Sequence, residues 1–275
     1  MNRMLQNGDL PRTLITLIDR LDTSCVHQLG VIEWGSPVAV FGDLSSSRIA
    51  TMGLNPSNRE FVDTSGRELQ GPFRRFHTLN SLGLRSWSGV DFRHIHLILE
   101  SFRDYFRRNP YRAWFRALDR AISATETSYY DPYGGACHLD LIPYATSLKW
   151  TALTPWQRAA LLEIAADSLG LLLREAPVEV LILNGRSVVE HFEEMAETRL
   201  QRRRMDGWGL PRRARSDVPG YSYAGFVESI GGIGLDRKVA VLGFNHNLQS
   251  SYGVTTAVVR EIRAWLPEAA HEVLK

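Results

Sequence analysis

The chain has little cysteine: two among 275 residues, Cys25 and Cys137, far apart and without a C-x-x-C. Disulfide scaffolds, zinc ribbons and cysteine-ligated iron–sulfur clusters are therefore not expected. Long apolar runs are also missing, so no membrane span is expected, and the first residues, "MNRMLQNGDLPRTL", lack the apolar stretch of a secretory signal. The expectation is a cytoplasmic protein. No G-x-G-x-x-G, G-x-x-x-x-G-K-[ST] or G-x-S-x-G occurs. That argues against a dinucleotide enzyme, a P-loop NTPase and an α/β-hydrolase. There are no internal repeats or low-complexity tracts. His138, His94 and His96 have no partner at ligand spacing from a second motif, so no metal site is expected.

What remains is ordinary globular composition, 44% hydrophobic and 23% charged, with a formal net charge of +2. So small an excess does not by itself mark a nucleic-acid binder. Local charge says more. "TRLQRRRMDGWGLPRRARSD" gathers Arg199, Arg202, Arg203, Arg204, Arg212, Arg213 and Arg215. Such a run is most simply an exposed loop; it is also a plausible footprint for phosphate.

Four apolar, β-branched runs read as buried strands: 48–54, 136–144, 178–185 and 238–245. A fifth, "PVAVFGD" (37–43), reads as an edge strand or hairpin partner of the first. Helical patterns lie between them at 111–124, 155–176, 186–200 and 250–266. Thr154 is the expected N-cap and Pro155 the first residue of the second. The segment "LPRTLITLIDRLD" is expected to pack outside the sheet. Strands alternating with helices imply a parallel sheet covered on both faces. The expected architecture is three-layer α/β/α with a mostly parallel four-stranded sheet and an extra edge strand. One domain covers 1–275, with an N-terminal extension at 1–45 and an arginine-rich insertion at 200–236.

In such folds ligands sit beyond the carboxyl ends of the strands. Those ends carry Asn55-Pro56-Ser57, Asp140 through Tyr144, Asn184-Gly185-Arg186 and Asn245-His246-Asn247. The set is polar, with one carboxylate and one histidine.

Taken in order, these ends resemble the motifs of the uracil-DNA glycosylase superfamily. "GLNPS" (53–57) is similar to its first motif, closest in form to the mismatch-specific branch. "GRELQGPFRRFHTLNSLGL" (66–84) resembles the segment whose aromatic ring, here Phe73, stacks on a flipped base. "HLDLIPY" (138–144) falls where the family has a strand ending in a base-reading Asn. "LILNGRSVVEHF" (181–192) resembles its third strand and helix, and "GFNHNLQSS" (243–251) its last motif, with the wedge residue. The resemblance spans about 48–265 and rests on order and spacing, since Gly-x-Asn-Pro alone is a common turn.

The resemblance implies a DNA base glycosylase without cofactor, acting as a monomer. Asn55 orients a water, and His246 donates to the departing base as charge develops there. Leu54, Ser57, Phe73 and Asp140 hold the base. Gly53 lets backbone approach it. Asn58, Arg74, Arg75, Gly185, Ser187, Asn247, Leu248, Gln249 and Ser250 contact DNA, with Leu248 filling the vacated stack; Gln249 or Ser250 could equally fill it. Two departures bear on specificity. Asp140 stands where the family reads uracil with Asn, and an ionised Asp only accepts, which suits the amino group of cytosine. Ser57 stands where uracil-specific members block C5 with Tyr. Together they imply a cytosine-like base enlarged at C5, such as hydroxymethyl- or glucosylated cytosine of phage DNA, and a role in phage defence.

Plainer readings exist for each residue. Asn55 could cap a turn, Asp140 could be an N-cap or the partner of an arginine, Phe73 could be core, and Arg74 and Arg75 could be a charged helix face. At the level of function the alternatives are a uracil or mismatch repair glycosylase, a non-catalytic nucleic-acid binder on the same scaffold, and a small-molecule enzyme of flavodoxin-like build.

Overall fold

The computed structural model describes residues 9–23, 26–108, 112–131, 135–212, 216–249 and 253–273. Six strands form one mixed sheet: β1 (Ile49–Gly53), β2 (Ala136–Asp140), β3 (Val180–Asn184), β4 (Gln201–Arg204), β5 (Tyr221–Ile230) and β6 (Ile233–Phe244). Their order is β2-β1-β3-β6-β5-β4. The four strands expected from their apolar runs are the parallel part, β2, β1, β3 and β6. Their consecutive residues are buried, so both faces of this part are covered. β5 and β4 extend it antiparallel, making six strands where four or five were expected.

Two expectations change here. The run 37–43 is not a strand. Phe41 alone makes an antiparallel bridge, exchanging backbone hydrogen bonds with His138 of β2, so the segment flanks β2 rather than β1. The arginine-rich segment is not simply a loop: Gln201–Arg204 is an edge strand, all of whose residues are exposed. Arg213 and Arg215 lie outside the described residues.

β5 and β6 join through Gly231-Gly232, both at positive φ (57° and 76°), as a tight two-residue hairpin turn requires. Gly231 also presses on the carbonyl of Ala166, leaving no room for a side chain. There the helical pattern 155–176 breaks into Pro155–Ile164 and Ser168–Arg174. Arg20, on the helix Asp9–Leu21, takes the freed carbonyl of Ile164 (2.8 Å) and pairs with Asp167 (2.7 Å). The first of the two helices begins as its sequence implies, with Thr154 as N-cap and Pro155 in the first turn, and Gln157 completes a capping box. The helix Asp9–Leu21 packs on Ser168–Arg174, and the helix Thr256–Val273 on Arg112–Ile122 and β6. No helix of the described residues is long and apolar enough to cross a membrane.

Candidate functional site

The carboxyl ends of β1, β2, β3 and β6 open into a cleft of about 670 Å³. Parallel strands put their ends on one side, so Gly53, Asp140, Asn184 and Asn245 meet although they are far apart in sequence. Leu54, Asn55, Ser57 and Asn58 from the loop after β1 line it, as do Gly185, Ser187, Asn247 and Gln249. Ser250 lies outside the described residues.

Asn55 is held from its nitrogen side. Its Nδ2 donates to Thr146 Oγ1 (2.9 Å) and to the carbonyls of Pro56 (3.2 Å) and Tyr144 (3.5 Å). Oδ1 is then the atom left to accept from a water. The neighbouring loops are tied together: Asn58 Nδ2 donates to the Ser147 carbonyl (3.1 Å), and Ser57 bridges to Thr146 while capping the short turn Asn58–Glu60.

Asp140 sits at the cleft wall, buried, with a polar chain behind it. His138 Nε2 lies 3.5 Å from Asp140 Oδ1. His138 Nδ1 is 2.7 Å from Thr51 Oγ1, which is 2.5 Å from the Tyr129 hydroxyl. Burial raises Tyr129 well above the usual phenol value, so it stays protonated and able to donate. A consistent donor order runs Tyr129 to Thr51 to Nδ1. It leaves the ring proton on Nε2, on the side of the Asp140 carboxylate but without hydrogen-bonding geometry to it, so Nε2 has no hydrogen-bond partner among the described residues. Phe41, Phe115 and Trp114 enclose the His138 ring, with centroids 5.4, 5.2 and 6.2 Å away. Asp140 is thus not a helix N-cap, and no arginine of the described residues pairs with it.

Five expected site residues take other positions. His246 is buried, and its Nε2 is 2.6 Å from the carbonyl of Trp208, away from the cleft lining. Trp208, between β4 and β5, is the residue that covers it. Leu248 is buried too, its backbone N–H donating to Asn184 Oδ1 (2.9 Å), so it is part of the loop's core rather than an exposed wedge. Phe73 is 70% exposed and outside the cleft. Arg75 forms a buried ion pair with Glu60 (3.3 Å), whose carboxylate also accepts from Tyr105 (3.0 Å). Arg74 flanks that pair, also outside the cleft.

No protein-family model matches this chain, and no curated protein is found to match it. Among the described residues, no group of three or more His, Cys, Asp or Glu is placed to hold a metal ion.

The cleft has walls that its motifs do not announce. Trp114, Trp150 and Lys149 line it, beside Arg186 from the motif after β3. Trp114 comes from the helix Arg112–Ile122, where an amphipathic pattern shows that a face is buried without showing what it faces. Thr51, Tyr129 and His138 lie one layer deeper. The alternation of β1 and β2 turns Thr51 and His138 to one side, and their register makes them direct cross-strand partners.

Proposed function

We propose that this chain is a DNA base glycosylase that takes a cytosine-like base, enlarged at C5, into the cleft and hydrolyses its N-glycosidic bond. The scaffold in this reading is the three-layer α/β/α arrangement of the uracil-DNA glycosylase superfamily. The observation that carries it is the pairing at the ends of the adjacent strands β1 and β2. Asn55 follows one with its amide nitrogen already engaged, and Asp140 ends the other with His138 behind it.

The chemistry needs a positioned water, room for a flipped base, and support for charge that separates as the bond breaks. Asn55 Oδ1 accepts from the water and aims it at the sugar carbon. Asp140 accepts from the exocyclic amino group of the base and opposes O4 of a uracil. Ser57 leaves the C5 side open. Trp114 gives the base an aromatic wall in place of Phe73. With His246 turned away, Lys149 is the cation at the cleft that can offset charge on the departing base, since Arg186 is paired with Glu190.

The test uses oligonucleotides carrying uracil, cytosine, 5-hydroxymethylcytosine or its glucosylated form, with abasic sites read by alkali cleavage. Excision of a modified cytosine, abolished in Asn55→Ala, is the expected result. Excision of uracil alone would make this a repair glycosylase. DNA binding without excision of any base would leave a non-catalytic binder.

A further inference from the structure

We propose that one face of the β4–β5 hairpin is a second contact for DNA, gripping the strand next to the flipped nucleotide. The choice of DNA as occupant rests on the function proposed above; the surface itself is defined by geometry. In an antiparallel pair, cross-strand partners share a face. Arg202 pairs with Tyr223 and Arg204 with Tyr221, so one face alternates arginine and tyrosine. Gln201, Arg203, Ser222 and Ala224 occupy the other.

The Arg202 guanidinium lies over the Tyr221 ring, 3.6 Å from its centroid. Such a plane presents a stacking surface for a base and N–H groups for phosphate. The face borders a groove of about 550 Å³ lined by four arginines, Arg186, Arg199, Arg202 and Arg212, against two glutamates. Glu190 pairs with Arg186 (2.6 Å) and Glu193 with Arg199 (3.7 Å), so the groove keeps a positive excess. Arg186 and Asn245 line both this groove and the cleft, which makes the two hollows neighbours.

Charge on an edge strand also guards against pairing with other chains. That role would be served equally from either face. It does not account for the Arg–Tyr alternation on one of them, nor for the groove beside it.

The experiment follows a labelled, unmodified oligonucleotide by fluorescence anisotropy across a salt series. Arg202→Gln is compared with Arg203→Gln, the same charge loss one residue away on the opposite face. Both side chains are exposed, so both variants should fold. Arg202→Gln should weaken binding about five- to tenfold at low salt and lower the slope of log affinity against log salt by about one. Arg202→Lys should recover part of the loss, and Arg203→Gln should stay within about twofold of wild type on the same scale. Equal losses in the Gln variants, no loss in Arg202→Gln, no binding by the wild type, or equally good displacement by polyglutamate would each overturn the proposal. The expected pattern in a protein that excises no base would uphold the groove and remove the glycosylase reading.

Discussion

Gly53 and Asp140 are cross-strand partners at the ends of β1 and β2, and the Asp140 carboxylate occupies the space a side chain on Gly53 would need. A Cβ there would collide with Asp140 Oδ1 and sit 3.1 Å from His138 Nε2. The glycine is needed for this approach rather than for its backbone angles.

Gly53→Ala should therefore push the carboxylate out of line while leaving the fold intact. A bound base misplaced by about 1 Å through its contact with Asp140 costs about a hundredfold in rate. Single-turnover excision should fall by that order while thermal unfolding moves only slightly. Unchanged excision would show that the position of Asp140 does not matter.

Asp140→Asn should shift the preferred base. The amide offers both a donor and an acceptor, so excision of a cytosine-like base should fall and excision of uracil rise. A good side-chain-to-base contact is worth about 1–3 kcal/mol, or roughly tenfold to a hundredfold. Rates on matched oligonucleotides measure the exchange. Loss of all excision, with none gained on uracil, would instead mark the carboxylate as part of the chemistry.

His246→Ala should act on stability. It removes the donor to the Trp208 carbonyl and leaves a buried acceptor unpaired, a cost of about 1–3 kcal/mol. The melting temperature should drop by several degrees, and His246→Gln should restore part of it. Below the transition, single-turnover excision should match wild type. A large rate loss in a variant of normal stability would return His246 to the chemistry.

Glu60 should make stability fall as pH rises. Burial, the largest influence, lifts its carboxyl from 4.5 to about 7, with Arg75 and Tyr105 pulling the other way. An acid with a raised folded value binds its proton more tightly when folded. Its contribution is complete below 4.5 and is lost as pH passes through about 7, by up to roughly 3 kcal/mol. Urea unfolding at pH 5 and pH 8 should show a larger decline for wild type than for Glu60→Gln. Parallel declines would remove the assignment.

The four parallel strands could be read from sequence because each is a short apolar run buried on both faces, a property of the residues themselves. The N-cap at Thr154 was legible for the same local reason. β4 was not: its arginines face solvent, and what makes it a strand is backbone pairing with β5. The break after Ile164 was equally hidden, since it is fixed by Gly231 and Arg20 from other parts of the chain.

At the site, the sequence by itself determined which polar residues end the strands, because strand ends follow from where the apolar runs stop. Tertiary structure alone decided which of them face the cleft. His246 and Asn247 are adjacent in sequence, yet one is sealed under Trp208 and the other lines the opening. Thr51, Tyr129 and His138 become a single chain behind Asp140 through parallel pairing of β1 with β2 and the segment packed beside them. Side-chain direction depends on what covers each strand end, and that cover comes from distant segments.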